Sequence, residues 1–229
     1  MSMEHGHRPN ISVESFAVES TAYYAVQAPE GGGDADSPLV LALHGWGQNA
    51  KKMIRDLAPL AGHNILVAAP QAPHPFYLDV ASGKVGFHWL TRYERDQAVA
   101  DANALLARLL AVVAEKHTYD SRRVFVLGFS QGCSMAWRFC VSGAIAPAGM
   151  IACGADLPPD VAEKLRGHAG FPALLVHGTG DEIIPVAKMH AARESLTELG
   201  FAHEVHEFDG GHEIPAAIAE EIAAWIARH

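Results

Sequence analysis

The sequence predicts an α/β fold in which helices cover both faces of a mostly parallel central sheet. Three observations lead there. Short apolar runs of strand length, each ending in Gly, Pro or a polar residue, recur along the 229-residue chain. Segments of helical periodicity alternate with them. The runs are also apolar throughout, as strands covered on both faces must be. A chain of this length can bury one substantial core and no linker divides it, so a single domain over 1–229 is expected, with 1–14 a flexible N-terminal segment.

In chain order, "SFAVESTAYYAVQAP" at 15–29 alternates imperfectly and runs into the turn-rich "EGGGDADSP". That pattern predicts a leading strand or hairpin at the sheet edge. The segments "LVLALHG", "ILVAAP", "RVFVLGFS", "GMIACGA" and "ALLVHGTGD" follow as strands, and a last strand-like segment precedes "FDGGHEIP". Helices are predicted over 49–60, 95–115, 131–141, 186–199 and 214–227. In the longest, Val99, Ala102, Leu106, Leu109 and Val113 recur every three or four positions while Asp101, Arg108 and Glu115 take the other face. This is the signature of an amphipathic crossover helix. The stretch 71–96 reads as a long connection at the carboxyl ends of the strands, where such segments commonly carry function.

Composition excludes several classes of function. The formal net charge is −9 and no five or six basic residues run together, so a phosphate backbone would be repelled and nucleic acid is not an expected partner. No uninterrupted apolar run reaches about 18 residues, which argues against stable membrane insertion. "MSMEHGHRPN" lacks the apolar core of a secretory signal, so a cytoplasmic location is expected. Cys133, Cys140 and Cys153 are odd in number and lack paired short spacings, which predicts buried thiols and no disulfide framework. Fourteen histidines include no H-E-x-x-H pair, and no metal site is expected.

The chemistry concentrates in "VFVLGFSQGCSMAWRF", where Gly128, Ser130 and Gly132 separate a strand from a helix. A sharp strand-to-helix turn strains its central residue and leaves no room for side chains two positions either side. It also lifts the Ser130 hydroxyl above the sheet edge. A serine needs a base and an orienting carboxylate to become nucleophilic. Asp181 closes the turn after "LLVHG", and His212 lies in the loop before the last helix, giving the order serine, acid, histidine. Glu182 and Asp209 compete as the acid, and His177 and His206 as the base, the two histidines lying within strand-like runs. Backbone N–H groups of Gln131 and of Trp46, in "LALHGWGQN", are the candidate oxyanion donors. Phe87, His88 and Trp89 are candidates for a substrate-pocket wall, with plain packing of the loop as the alternative.

With "LHGWGQN", "GFSQG", "HGTGDEIIP" and "GGHEIP" in place, the chain resembles the α/β-hydrolase superfamily from about Leu39 to the carboxyl terminus. It most resembles the phospholipase/carboxylesterase group that includes the acyl-protein thioesterases. The resemblance implies an α/β-hydrolase fold without a large lid domain and a cofactor-free serine esterase or thioesterase. Its catalytic residues would be Ser130, Asp181 and His212, and its oxyanion donors Trp46 and Gln131. A small-molecule ester or thioester is the implied partner, and homodimerisation is left open. Trp46 and Gln48 depart from the group's usual "LHGxGD", implying a narrower or more aromatic acyl pocket. A non-catalytic ligand-binding protein and a lactone or peptide hydrolase with the same triad are the rival readings.

Overall fold

The computed structural model describes residues 12–166 and 170–229. Most of the segment expected to be flexible, 1–14, therefore lies outside the described residues, and 12–14 are exposed and carry no regular structure. The elements run β1 (Tyr24–Gln27), β2 (Leu39–Leu43), α1 (Ala50–Asp56), β3 (Leu66–Pro70), β4 (His74–Asp79), β5 (Lys84–His88), α2 (Arg95–Lys116) and β6 (Val124–Phe129). They continue through α3 (Gln131–Cys140), β7 (Gly149–Cys153), α4 (Pro159–Leu165), β8 (Ala173–Gly178), α5 (Ala187–Glu198), β9 (His203–Phe208) and α6 (Ala216–Arg228).

Seven strands form the central sheet in the order β1-β3-β2-β6-β7-β8-β9. All neighbours are parallel except the edge strand β1, which runs antiparallel to β3 with Tyr24 opposite Pro70. Alternation within each continuous apolar run explains the two layers. Leu41, Ala68, Val126, Ala152 and Leu175 pack on one face with α2, α3, α4 and α5. Val40, Val67, Leu127, Ile151 and Val176 pack on the other with α1 and α6. Every side chain of these strands meets protein, so none needs to be polar.

Three expectations need correction. The helix expected over 49–60 ends at Asp56 and is replaced by a 3-10 segment, Ala58–His63, because Pro59 supplies no N–H and disfavours helical backbone before it. The connection 71–96 is not structureless: β4 and β5 form a separate antiparallel hairpin with His74 opposite His88. Third, α2 is long and apolar enough for a membrane span by length and composition. Alanines raise its mean hydropathy although charges interrupt every apolar run. Its stripe of Ala102, Leu106, Leu109, Leu110 and Val113 is nevertheless buried in the core layer shared with α3.

A polar clamp ties three helices of that layer. Arg138 of α3, with its side chain 4% exposed, directs Nε and Nη2 at Asp160 of α4 at 2.9 and 2.7 Å. Arg95 of α2 reaches the same carboxylate at 3.0 Å. Burial pushes the Asp160 carboxyl up, but the two guanidiniums outweigh it and hold the pKa at about 2. This contribution is complete above the unfolded value of 3.8 and is lost as pH falls towards about 2. Asp160→Ala strands the Arg138 charge and is expected to lower the unfolding free energy by about 2–3 kcal/mol, moderated by the partial exposure of Asp160. Urea unfolding at neutral pH measures the loss.

Candidate active site

At the end of β6 the chain turns into α3 with Ser130 at φ 53° and ψ −121°, a conformation that costs a non-glycine residue about 1–3 kcal/mol. The strain is fixed by crowding. A Cβ on Gly128 would lie 2.4 Å from Cys133 Cα, and one on Gly132 would lie 2.1 Å from Leu43 O of β2. Only glycine fits at either position. Ser130 N–H donates to Cys153 O at 2.9 Å, and Ser130 O accepts from Cys133 N at 2.9 Å, so the turn is held from both sides. The serine side chain remains half-buried.

Asp181 follows β8 and is buried. Its Oδ1 accepts from the backbone N–H groups of Ile183 and Ile184 at 2.9 and 2.8 Å, and its Oδ2 accepts from His212 Nδ1 at 2.6 Å. Burial raises the carboxyl pKa, but the His212 bond and the two amides outweigh it and keep the group below its ordinary value. Asp181 is therefore an anion that orients His212. Glu182 and Asp209 are exposed, and among the described residues it is Asp181 that bonds His212.

The His212 ring packs tilted against Phe129, with centroids 4.7 Å apart, and lies over Gly154, where an added Cβ would approach it within 3.3 Å. Phe129 immediately precedes Ser130, and Gly154 follows the residue whose carbonyl holds the Ser130 amide. The imidazole thus sits beside the elbow. Among the described residues, no hydrogen bond joins Ser130 to His212. Of the competing bases, His206 is half-buried on β9 and His177 is fully buried on β8.

Neither Trp46 N–H nor Gln131 N–H is taken by a protein acceptor among the described residues. The loop bearing Trp46 is instead fixed by its neighbours: Gly45 N donates to Gln48 Oε1 at 3.1 Å and Gly47 N to Phe87 O at 2.8 Å. Sequence reasoning missed the Gln131 side chain. Its Oε1 accepts from Trp89 N at 2.8 Å and its Nε2 donates to Leu90 O at 2.9 Å, so it fastens the end of the β4–β5 hairpin to the elbow. His44 completes the frame. Its Nε2 accepts from Ala72 N at 3.1 Å, which leaves Nδ1 to donate to Gly45 O at 2.8 Å. Its own carbonyl accepts from Trp89 Nε1 at 2.8 Å.

The proposed wall residues separate. Trp89 has no exposed surface and is a core strut, not a wall, because its indole is consumed by the His44 carbonyl. Phe87 packs against the core and lines a cleft with Tyr23, Pro75 and Leu105. Only His88 joins a partly open aromatic row, with ring centroids 5.1 Å from His74 and 5.4 Å from Phe76. Phe76 in turn lies 4.9 Å from the exposed Trp46. Cys133, Cys140 and Cys153 are free and buried, and burial pushes all three thiols up. Among the described residues, no three His, Cys, Asp or Glu side chains converge on a metal-sized site.

Comparison with known proteins bears on the family and the fold. The sequence profile described as Phospholipase/Carboxylesterase matches residues 22–229. A curated relative, "Putative esterase NocK" of Nocardia uniformis subsp. tsuyamanensis, is 29% identical over 166 residues, 71% of this chain and 45% of that protein. The match therefore spans less than half the length of that relative. Among solved structures, esterase PE8 superposes with a TM-score of 0.72 at 23% identity, covering 91% of this chain and 99% of its own. Acyl-protein thioesterase 2 of Zea mays gives 0.68 at 19%, covering 91% and 99%. The carboxylesterase of Bacillus cereus gives 0.68 at 18%, covering 91% and 95%. At these identities the structural likeness shows the α/β-hydrolase fold.

Burial lowers the His44 pKa from 6.5 to about 4, against the small upward pull of its bond to Gly45. Between those values the unfolded chain binds a proton that the folded one refuses, so stability is complete above pH 6.5 and falls as pH drops towards about 4. The loss from this one group is expected to reach at most roughly 3 kcal/mol. A His44→Gln variant should lack that part of the pH dependence when urea midpoints are compared across the window.

Proposed function

The chain belongs to the phospholipase/carboxylesterase family of α/β-hydrolases, and from that premise we propose that it is a serine esterase that cleaves ester or thioester bonds through an acyl-enzyme. Ser130 is the nucleophile, His212 the general base and Asp181 the carboxylate that orients it. The N–H groups of Trp46 and Gln131 receive the oxyanion. The observation that carries this reading is the 2.6 Å Asp181–His212 bond, which fixes the imidazole beside a serine held in strained backbone.

In the first half-reaction His212 Nε2 takes the Ser130 proton as Oγ attacks the carbonyl carbon. The serine–imidazole hydrogen bond closes as substrate binds, the ordinary behaviour of unliganded sites. Asp181 makes the required tautomer, because Nδ1 must keep its proton to bond Oδ2 and Nε2 is then the basic nitrogen. Charge that develops on the carbonyl oxygen meets two donors whose positions are set by the Gln48, Phe87 and Trp89 bonds, so little reorganisation is needed as it forms. The imidazolium then gives its proton to the leaving oxygen or sulfur. Water repeats the cycle on the acyl-enzyme, restoring Ser130 and releasing the carboxylic acid. No cofactor enters either step.

Ser130→Ala is expected to remove p-nitrophenyl acetate turnover by about 10³-fold or more, and Asp181→Asn by about 10³- to 10⁴-fold, while both retain the wild-type circular dichroism spectrum. A fluorophosphonate probe should label the wild type and not the alanine variant. A wild-type protein that is neither labelled nor active on any ester from acetate to palmitate, or on acyl-CoA, would refute the assignment and leave a non-catalytic binding role.

A further inference from the structure

His177 stands outside the proposed triad yet directly against it. It lies on β8 four residues before Asp181, and neither side chain has exposed surface. Its Nε2 is 2.7 Å from Ile184 O and 3.3 Å from Asp181 Oδ2. Both neighbours are acceptors, so Nε2 carries a hydrogen, and the shorter contact makes Ile184 O its hydrogen-bond partner. The opposite ring nitrogen, Nδ1, is buried without a partner among the described residues.

That combination argues against packing as the reason for the ring. An apolar side chain of similar volume would fill the same space without leaving a nitrogen unsatisfied. What the imidazole adds is the Nε2–H. Ile184 is the residue it grips by the carbonyl, and Ile184 uses its amide to hold Asp181 Oδ1 at 2.8 Å. The same N–H dipole lies beside Oδ2, the oxygen that bonds His212.

We propose that His177 is a positioning residue for the esterase reaction: it closes the 181–184 turn through Ile184 and so fixes the carboxylate on which the His212 tautomer depends. The proposal rests on the esterase reading given above. It places a second imidazole behind the acid and gives it a role at one remove from the reacting atoms. Displacement of a catalytic group by a fraction of an ångström to one ångström lowers the chemical step and leaves the initial binding of a small ester largely untouched.

Gln and Met are close in shape and differ in that Gln carries an N–H at its end, so the pair isolates the donor. With p-nitrophenyl acetate, His177→Gln is expected to keep kcat within about threefold of wild type. His177→Met should lose roughly 10- to 100-fold in kcat with KM within about twofold. In an Asp181→Asn background the same Met substitution should cost nothing further, because the group it acts through is gone. Gln and Met variants with equal kcat, or a Met effect that multiplies with Asp181→Asn, would overturn the assignment. Should the Met variant not fold, His177→Asn replaces it: its shorter amide falls short of Ile184 O, and wild-type kcat there would equally overturn the proposal. Loss of fluorophosphonate labelling and turnover in the wild type sinks the esterase reading itself, whereas an active wild type with matched Gln and Met variants sinks only the role of His177.

Discussion

The close approach of α3 to the carboxyl end of β2 is the constraint on which the site depends. Helix and strand meet with no space for a side chain at Gly132, and the chain doubles back so sharply that Gly128 has none either. Ser130 absorbs the resulting strain in its own backbone. The cost is borne by the buried layers of the sheet, in which β6 lies between β2 and β7 with its six residues buried. A looser junction would relieve the serine and lose the direction of its hydroxyl.

Around that junction, polar groups do the positioning that apolar packing cannot. Gln131 reaches from the start of α3 to the end of the hairpin, Trp89 returns to His44, and His44 holds both Gly45 and Ala72. Each member uses a donor or acceptor that would otherwise be buried unpaired. Among the described residues, the N–H groups of Trp46 and Gln131 are left without protein acceptors. His44 serves this frame as a neutral ring because its acceptor nitrogen is needed by Ala72, and burial keeps protons off it at ordinary pH.

The sheet was legible in the sequence for a physical reason. Strands covered on both faces read as unbroken apolar runs, and "LVLAL", "LVAAP" and "GMIAC" announce themselves. The elbow and the Asp181–His212 pair were legible because glycine spacing and position after a strand follow from backbone geometry. The β4–β5 hairpin was not, since its strands are mostly exposed, lack the unbroken apolar pattern and contain Pro75 and Gly86. Nor was the fate of Phe87 and Trp89, because an aromatic residue in a connection has the same composition whether it faces substrate or core. The helix α4 hid behind two prolines and a length of seven residues. The clamp of Gln131 depends on contacts about forty residues apart, which no local pattern encodes.

The sheet order carries a consequence for biosynthesis. Residues 130, 181 and 212 follow β6, β8 and β9 in turn, and β9 is the outermost parallel strand, with β8 as its neighbour in the sheet. A growing polypeptide therefore carries its serine long before it owns an imidazole to activate it. On the proposed triad, a chain that stops short of the loop after β9 lacks the base that would activate Ser130.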